Sequence, residues 1–380
     1  MRSLSTSVGR GFPRVRIAWA PAAAALLLAC TAGLCASSAA RADAPAGSAA
    51  EAPASVAGRV IGIAFVGRMV SNLDRSLRFY EALGFAEDPS VDTSWHRDPA
   101  LERLFAMRGV QVRTAKLTID TNISGRPFAL YLRELKGIKR QHLAGYEPWE
   151  PGATHFCLFA PDAEALWARL KASGMLRARS WGGKLVAPPG RTKGVIAYIT
   201  DPDGMDIEIA DASLATPGGP GRAARAAGPG FNHVGLIVLD SDKEMAFYGG
   251  VLGGQLLTTR APWLKGDFYD AAVGGHGNIL RFHNELFPEA AAPDARMHFE
   301  MVEFQNRKKP VRRYRISDVS VGYVGFEVEG LDALLMRAKA AGAKVVSRGG
   351  IVRMQDGSRA VLIRDPDVGA FLELFDPPAN

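Results

Sequence analysis

The chain has 380 residues, with 46 Lys and Arg against 39 Asp and Glu, a formal charge of +7 and a pI near 9.4. The excess is local: Arg2, Arg10, Arg14, Arg16 and Arg41 all precede residue 43 and no acid does, so without that stretch 41 basic residues face 39 acidic ones, a balance of +2. So small a charge excludes a nucleic-acid surface as the origin of the high pI.

The first 42 residues read as a secretory signal. Basic residues precede an apolar run, Ala22 to Ala29, and Ala40-Arg41-Ala42 gives an A-x-A cleavage site before Asp43. The run is too short to span a bilayer. Leu27-Leu28-Ala29-Cys30 is the alternative, a lipobox that leaves a lipid-anchored Cys30. Residues 43–58 are Ala/Pro/Ser/Gly-rich and read as a flexible leader. The expectation is a periplasmic or secreted protein, a monomer or homodimer with no membrane span. Cleavage after Ala42 leaves Cys157 alone, in an apolar strand, which reads as a buried inert thiol.

Four segments follow with one outline: a strand, a turn, then an amphipathic helix closed by glycine. The first is Phe65 to Val70, then Asn72 to Tyr80, then Leu83-Gly84. The second is His155 to Phe159, then Ala163 to Ala172 and Gly174. It ends with Asp201-Pro202-Asp203-Gly204 leading into Met205 to Ile209, where the proline presets the turn and the alternation marks a half-buried strand. The third is His233 to Val238, then Met245 to Tyr248, then Leu252-Gly253. A basic run follows: Arg307, Lys308, Lys309, Arg312, Arg313 and Arg315, read as a solvated linker or, less simply, as a dock for an anionic ligand or partner. The fourth is Tyr323 to Val328, then Leu331 to Ala341 and Gly342, ending with Asp365-Pro366-Asp367 and Ala370 to Leu374. Phe65 to His233 and His155 to Tyr323 are both separated by 168 residues. Modules one and two were therefore duplicated as a unit. The division is a domain over 59–212, a linker over 213–229 and a second domain over 230–378.

The strand–Leu-Asp-Arg-Ser-Leu-Arg-Phe-Tyr-x-x-Leu-Gly-Phe unit and the Asp-Pro-Asp-Gly-x-x-Ile-Glu-Ile ending resemble the vicinal oxygen chelate superfamily, the glyoxalase, bleomycin-resistance and extradiol-dioxygenase group. The resemblance implies an α+β fold: four βαβββ modules forming two open, mostly antiparallel, eight-stranded barrel-like domains. It places metal ligands at the start of each module's first strand and near the end of its last. Those positions are Phe65 and Tyr131, His155 and Glu208, His233 and Glu300, and Tyr323 and Glu373. If the register of Tyr131 or Glu300 slips, Glu134 or Glu303 takes its place. Each domain alone has an incomplete set. Pairing module two with three instead gives His155, Glu208, His233 and Glu300; pairing one with four leaves a dead site. The cross-domain pairing is the preferred expectation.

Two imidazoles and two carboxylates suit Zn²⁺, Fe²⁺, Mn²⁺, Ni²⁺ or Co²⁺. The expected chemistry is metal-assisted action on a small molecule with vicinal oxygens, proton transfer of the glyoxalase, lyase or epimerase kind being favoured over dioxygenation. Tyr323 breaks the dioxygenase pattern of two His and one Glu in one domain. Glu208 is the first candidate for the proton-shuttling base and Glu300 the second. His298, two residues before Glu300, shares its strand face. The rival reading is a non-catalytic small-molecule binder of the bleomycin-resistance kind, in which the strand histidines are hydrogen-bonded core residues.

Overall fold

A computed structural model describes residues 58–143, 147–190, 194–214, 228–257, 261–307 and 310–378. The expected signal, nearly all of the leader and most of the linker lie outside these residues. None of the helices described is long and apolar enough to cross a membrane.

Module one comprises β1 (Arg59–Val70), α1 (Leu73–Leu83), β2 (Ala86–Glu87), α2 (Pro99–Leu104), β3 (Gln111–Asp120) and β4 (Pro127–Lys136). Module two comprises β5 (Thr154–Ala160), α3 (Ala163–Ala172), β6 (Ile196–Thr200) and β7 (Asp206–Asp211). Module three comprises β8 (Gly230–Val238), α4 (Ser241–Tyr248), β9 (Gln255–Leu256), β10 (Leu264–Lys265), α5 (Asp267–Val273), β11 (Ile279–Glu289) and β12 (Ala292–Phe304). Module four comprises β13 (Gly322–Glu329), α6 (Leu331–Ala340), β14 (Lys344–Val345), β15 (Val352–Arg353), β16 (Arg359–Arg364) and β17 (Phe371–Asp376). The fold is α+β and sheet-rich, as expected.

The helices start where side chains can take up their free N–H groups. Asn72, Asp162 and Asp240 each accept a bond from the first turn of α1, α3 and α4. Gly84 closes α1 at φ 109°, a left-handed conformation that a Cβ disfavours.

Module two departs from four full strands. Before β6 there are only isolated bridges, Ala178 to Ile199 and Val186 to Ile196. Pro188 and Pro189 have no N–H to donate, so a ladder cannot continue through them.

Strand pairing crosses the duplication. β1 runs antiparallel to β13, with Phe65 opposite Gly325 and Gly67 opposite Tyr323. β5 runs antiparallel to β8, with His155 opposite Gly235 and Cys157 opposite His233. One ladder therefore joins module one to module four in the order β3–β4–β1–β13–β17–β16. The other joins module two to module three in the order β6–β7–β5–β8–β12–β11. One apolar core runs through all four modules, including Tyr80, Phe156, Phe231, Tyr248, Phe299 and Phe326.

Candidate metal centre

The four central strands of the second ladder lie in the order β7, β5, β8, β12, and each brings one titratable side chain to the same face. Glu208 is in register with Cys157, Cys157 with His233, and Gly235 with both His155 and Glu300. Residues in register share a face, so all four project to one side. Small residues make room for the rings. A Cβ on Gly235 would fall inside the His155 imidazole, and only a thiol stands opposite His233.

The four converge. One ligand atom from each of His155, Glu208, His233 and Glu300 lies within 4.8 Å of the other three. His155 Nε2 is 3.4 Å from Glu300 Oε2 and 3.7 Å from Glu208 Oε2. His233 Nε2 is 3.7 Å from Glu300 Oε2 and 3.8 Å from Glu208 Oε2. These separations are too long for hydrogen bonds but suit atoms arranged around one ion at about 2.0–2.2 Å from each. His233 Nε2 and Glu300 Oε2 are buried with no hydrogen-bond partner, a costly state for a polar atom unless something else binds it.

Two residues overlooked in the sequence hold the cluster in place. Tyr198 is in register with Glu208, and its hydroxyl donates to Glu208 Oε2 at 2.9 Å. Asn232 is the extra residue of a bulge between the Cys157–His233 and Leu158–Phe231 pairs. Its Oδ1 lies 2.9 Å from His233 Nδ1, and its Nδ2 donates to Asn122 Oδ1. A proton on Nδ1 leaves Nε2 as the free lone pair facing the cluster. An Asn directly before a strand His was the available signal; Tyr198 offered none apart from the register.

Burial sets the charges. It lowers the pKa of His155 and, with His298 nearby, takes that of His233 well below its ordinary value, so both rings are neutral near pH 7. Burial pushes Glu300 up to about 8, and burial with the nearby Glu300 pushes Glu208 up to about 7. Two neutral imidazoles beside two crowded carboxyls form a donor set that a divalent cation fits, since the cation removes the carboxyl repulsion.

The other expected positions fall elsewhere. Phe65, Tyr131, Tyr323 and Glu373 occupy the equivalent face of the first ladder, where the Phe65 ring packs edge-on against Tyr131 and Tyr323 at 5.1 and 6.1 Å. Glu134 and Glu303 are not in either cluster. Glu134 accepts from Leu73 N and Arg113, and Glu303 from Ser241 N and Arg281, each at the start of a helix. The register that selects Tyr131 and Glu300 is the one observed. His298 stacks against His233 at 4.4 Å, with both ring nitrogens unpartnered. Cys157 is buried as expected, and burial with the neighbouring Glu208 keeps its thiol protonated; it forms part of the site wall. The basic run is less free than a solvated linker, because Arg312 pairs with Glu150, Arg315 with Asp318, and Arg307 lies over Trp149. Lys308 and Lys309 lie outside the described residues.

The solved structure of glyoxalase I from Zea mays matches 84% of this chain and 92% of its own, with a TM-score of 0.52 and 20% identity. A putative dioxygenase from Bacillus subtilis matches at 0.46 and 15% identity, over 85% of this chain and 87% of its own. The Mn(II)-bound glyoxalase from Novosphingobium aromaticivorans matches at 0.27 and 15%, over 85% and 84%. The maize likeness shows the fold and nothing finer. No functionally curated protein matches the sequence. The sequence model of the glyoxalase/bleomycin resistance protein/dioxygenase superfamily matches residues 62–209 and again 230–373, and the chain belongs to that superfamily.

Proposed function

We propose that this protein is a metal-dependent enzyme that moves a proton at a carbon flanked by vicinal oxygens of a small molecule. The observation that carries this reading is the convergence of His155, Glu208, His233 and Glu300 from four strands of two repeat units. These four residues would hold one divalent ion, of Zn, Fe, Mn, Ni or Co. The ion, when bound, supplies Lewis-acid polarisation of two neighbouring substrate oxygens.

The chain's own residues divide the remaining work. The two imidazoles are neutral and so available as ligands. Glu208 is tethered by Tyr198, which fixes one of its oxygens. Glu300 Oε2 has no such tether. A base that takes a proton and returns it must keep a free oxygen, so Glu300 is the better shuttle and Glu208 the better fixed ligand. That reverses the order of preference given by the sequence. The leader reading places this chemistry in the periplasm or outside the cell.

The test is metal analysis of purified protein, followed by thermal melts with added Mn²⁺, Zn²⁺, Ni²⁺, Fe²⁺ and Co²⁺. The expected result is one equivalent per chain and a rise in Tm. His155→Ala and His233→Ala should each abolish that same equivalent. No metal and no rise in Tm with any of the five would overturn the enzyme reading in favour of a metal-free binder.

A further inference from the structure

The first ladder repeats the geometry of the second with different chemistry. Tyr323 stands where His155 stands, Phe65 where His233 stands, Tyr131 where Glu300 stands and Glu373 where Glu208 stands. The glycines that clear space for the rings are also repeated: a Cβ at Gly67 would fall inside the Tyr323 ring, and one at Gly325 would meet Phe65. One carboxylate without imidazole cannot hold a divalent ion against water.

A cation is nevertheless present. Arg133 on β4 is in register with Met69, where the second ladder has Val302 in register with Ile237. Its guanidinium carbon lies 4.9 Å from the Tyr131 ring centre, 5.5 Å from Phe105 and 5.6 Å from Tyr323. Arg133 Nε and Nη1 are buried and have no acceptor; Tyr323 Oη and Glu373 Oε2 are buried and have no partner. The guanidinium lies close enough to Glu373 for each to feel the other's charge, yet these atoms are not bonded to one another. Unmet donors on one side and an unmet carboxylate oxygen on the other call for a molecule that accepts from the first and donates to the second. The aromatic walls favour a small organic body.

We propose that this face is a second, metal-free binding site for a small α-hydroxy monocarboxylate. Its carboxylate accepts from Arg133 Nε and Nη1, and its hydroxyl lies between Tyr323 Oη and Glu373 Oε2. A fixed guanidinium thus takes the place that an exchangeable ion has in the other ladder. A phosphate dianion fits less well, because its second charge faces Glu373 and it brings no apolar body to the rings.

The test is isothermal titration calorimetry of the full, purified protein at pH 7 with lactate, acetate and inorganic phosphate. The site predicts one lactate per chain, with acetate about tenfold weaker for want of the hydroxyl, and phosphate weaker than lactate. Arg133→Met should weaken lactate by about 100-fold and Tyr323→Phe by about tenfold. The double variant His155→Ala, His233→Ala should bind lactate unchanged, so this site and the proposed metal centre fail or stand separately. Absence of lactate binding, phosphate tighter than lactate, full affinity in Arg133→Met, or loss of lactate in the double His variant would each overturn the proposal. If Arg133→Met does not fold, Tyr323→Phe and the order of the three ligands on the native chain decide the question.

Discussion

His155 and Gly235 sit directly opposite one another across the β5–β8 seam, and the imidazole lies over the space that a side chain at 235 would fill. The glycine is thus part of the site. Gly235→Ala should displace the His155 ring and lower metal affinity by about 10- to 100-fold, the range for disturbing a ligand's support. Gly67→Ala, the same change against Tyr323 in the first ladder, should reduce Tm and leave the metal stoichiometry intact. Equal metal loss in both variants would show that Gly235 acts only through stability.

Asn232 should set the tautomer of His233. In Asn232→Ala, Nδ1 loses the acceptor 2.9 Å away, and the proton is free to move to the nitrogen that faces the cluster. Metal affinity should fall by about tenfold with little change in Tm of the metal-free protein. ¹⁵N chemical shifts of the His233 ring would record the tautomer directly.

Tyr198 lowers the proton affinity of Glu208 by donating to its carboxylate. Tyr198→Phe removes that donor, so the Glu208 pKa should rise above about 7. Because a carboxylate must lose its proton to bind a cation, the pH midpoint of metal loading should move upward. A midpoint unchanged or shifted downward would refute this role for the tyrosine.

A pH dependence of stability should originate far from the site. In modules one and two, buried Tyr80 donates to Asp201, and Arg68 lies close enough to favour its charge. The counterparts in modules three and four, 168 residues on, are Tyr248, Asp365 and Leu236, with Glu244 in place of Ser76. The arginine is gone, and Glu244 is pushed up to about 10 by burial and by Asp365 and Asp367. The folded state therefore keeps a proton that the unfolded chain releases above its ordinary value of 4.5. Stability from this group is fully present below that value and is lost as pH rises toward 10. Glu244→Gln, which mimics the protonated form, should raise Tm at pH 8 and flatten its decline with pH; an unchanged decline would rule out this origin.

Much of this protein could be read from its sequence for local reasons. The repeated strand–turn–helix outline, the helix stops at Gly84 and Gly253 and the Asp-Pro-Asp turns depend on neighbours a few residues apart, so they leave a periodic trace. The matched 168-residue offsets revealed the duplication and, with the superfamily resemblance, pointed to His155, Glu208, His233 and Glu300 as a set. Strand pairing could not be read in the same way. Whether β5 pairs within its own repeat unit or with β8 depends on burying side chains hundreds of atoms apart along the chain, and both pairings satisfy the same alternation. Only the tertiary structure decided that Gly235 clears the His155 ring, that the Asn232 bulge reaches His233, that Tyr198 stands beside Glu208 and that Arg133 stands unpaired among aromatic rings. Each of these is a contact across strands, set by register, and register is fixed by packing of the whole sheet.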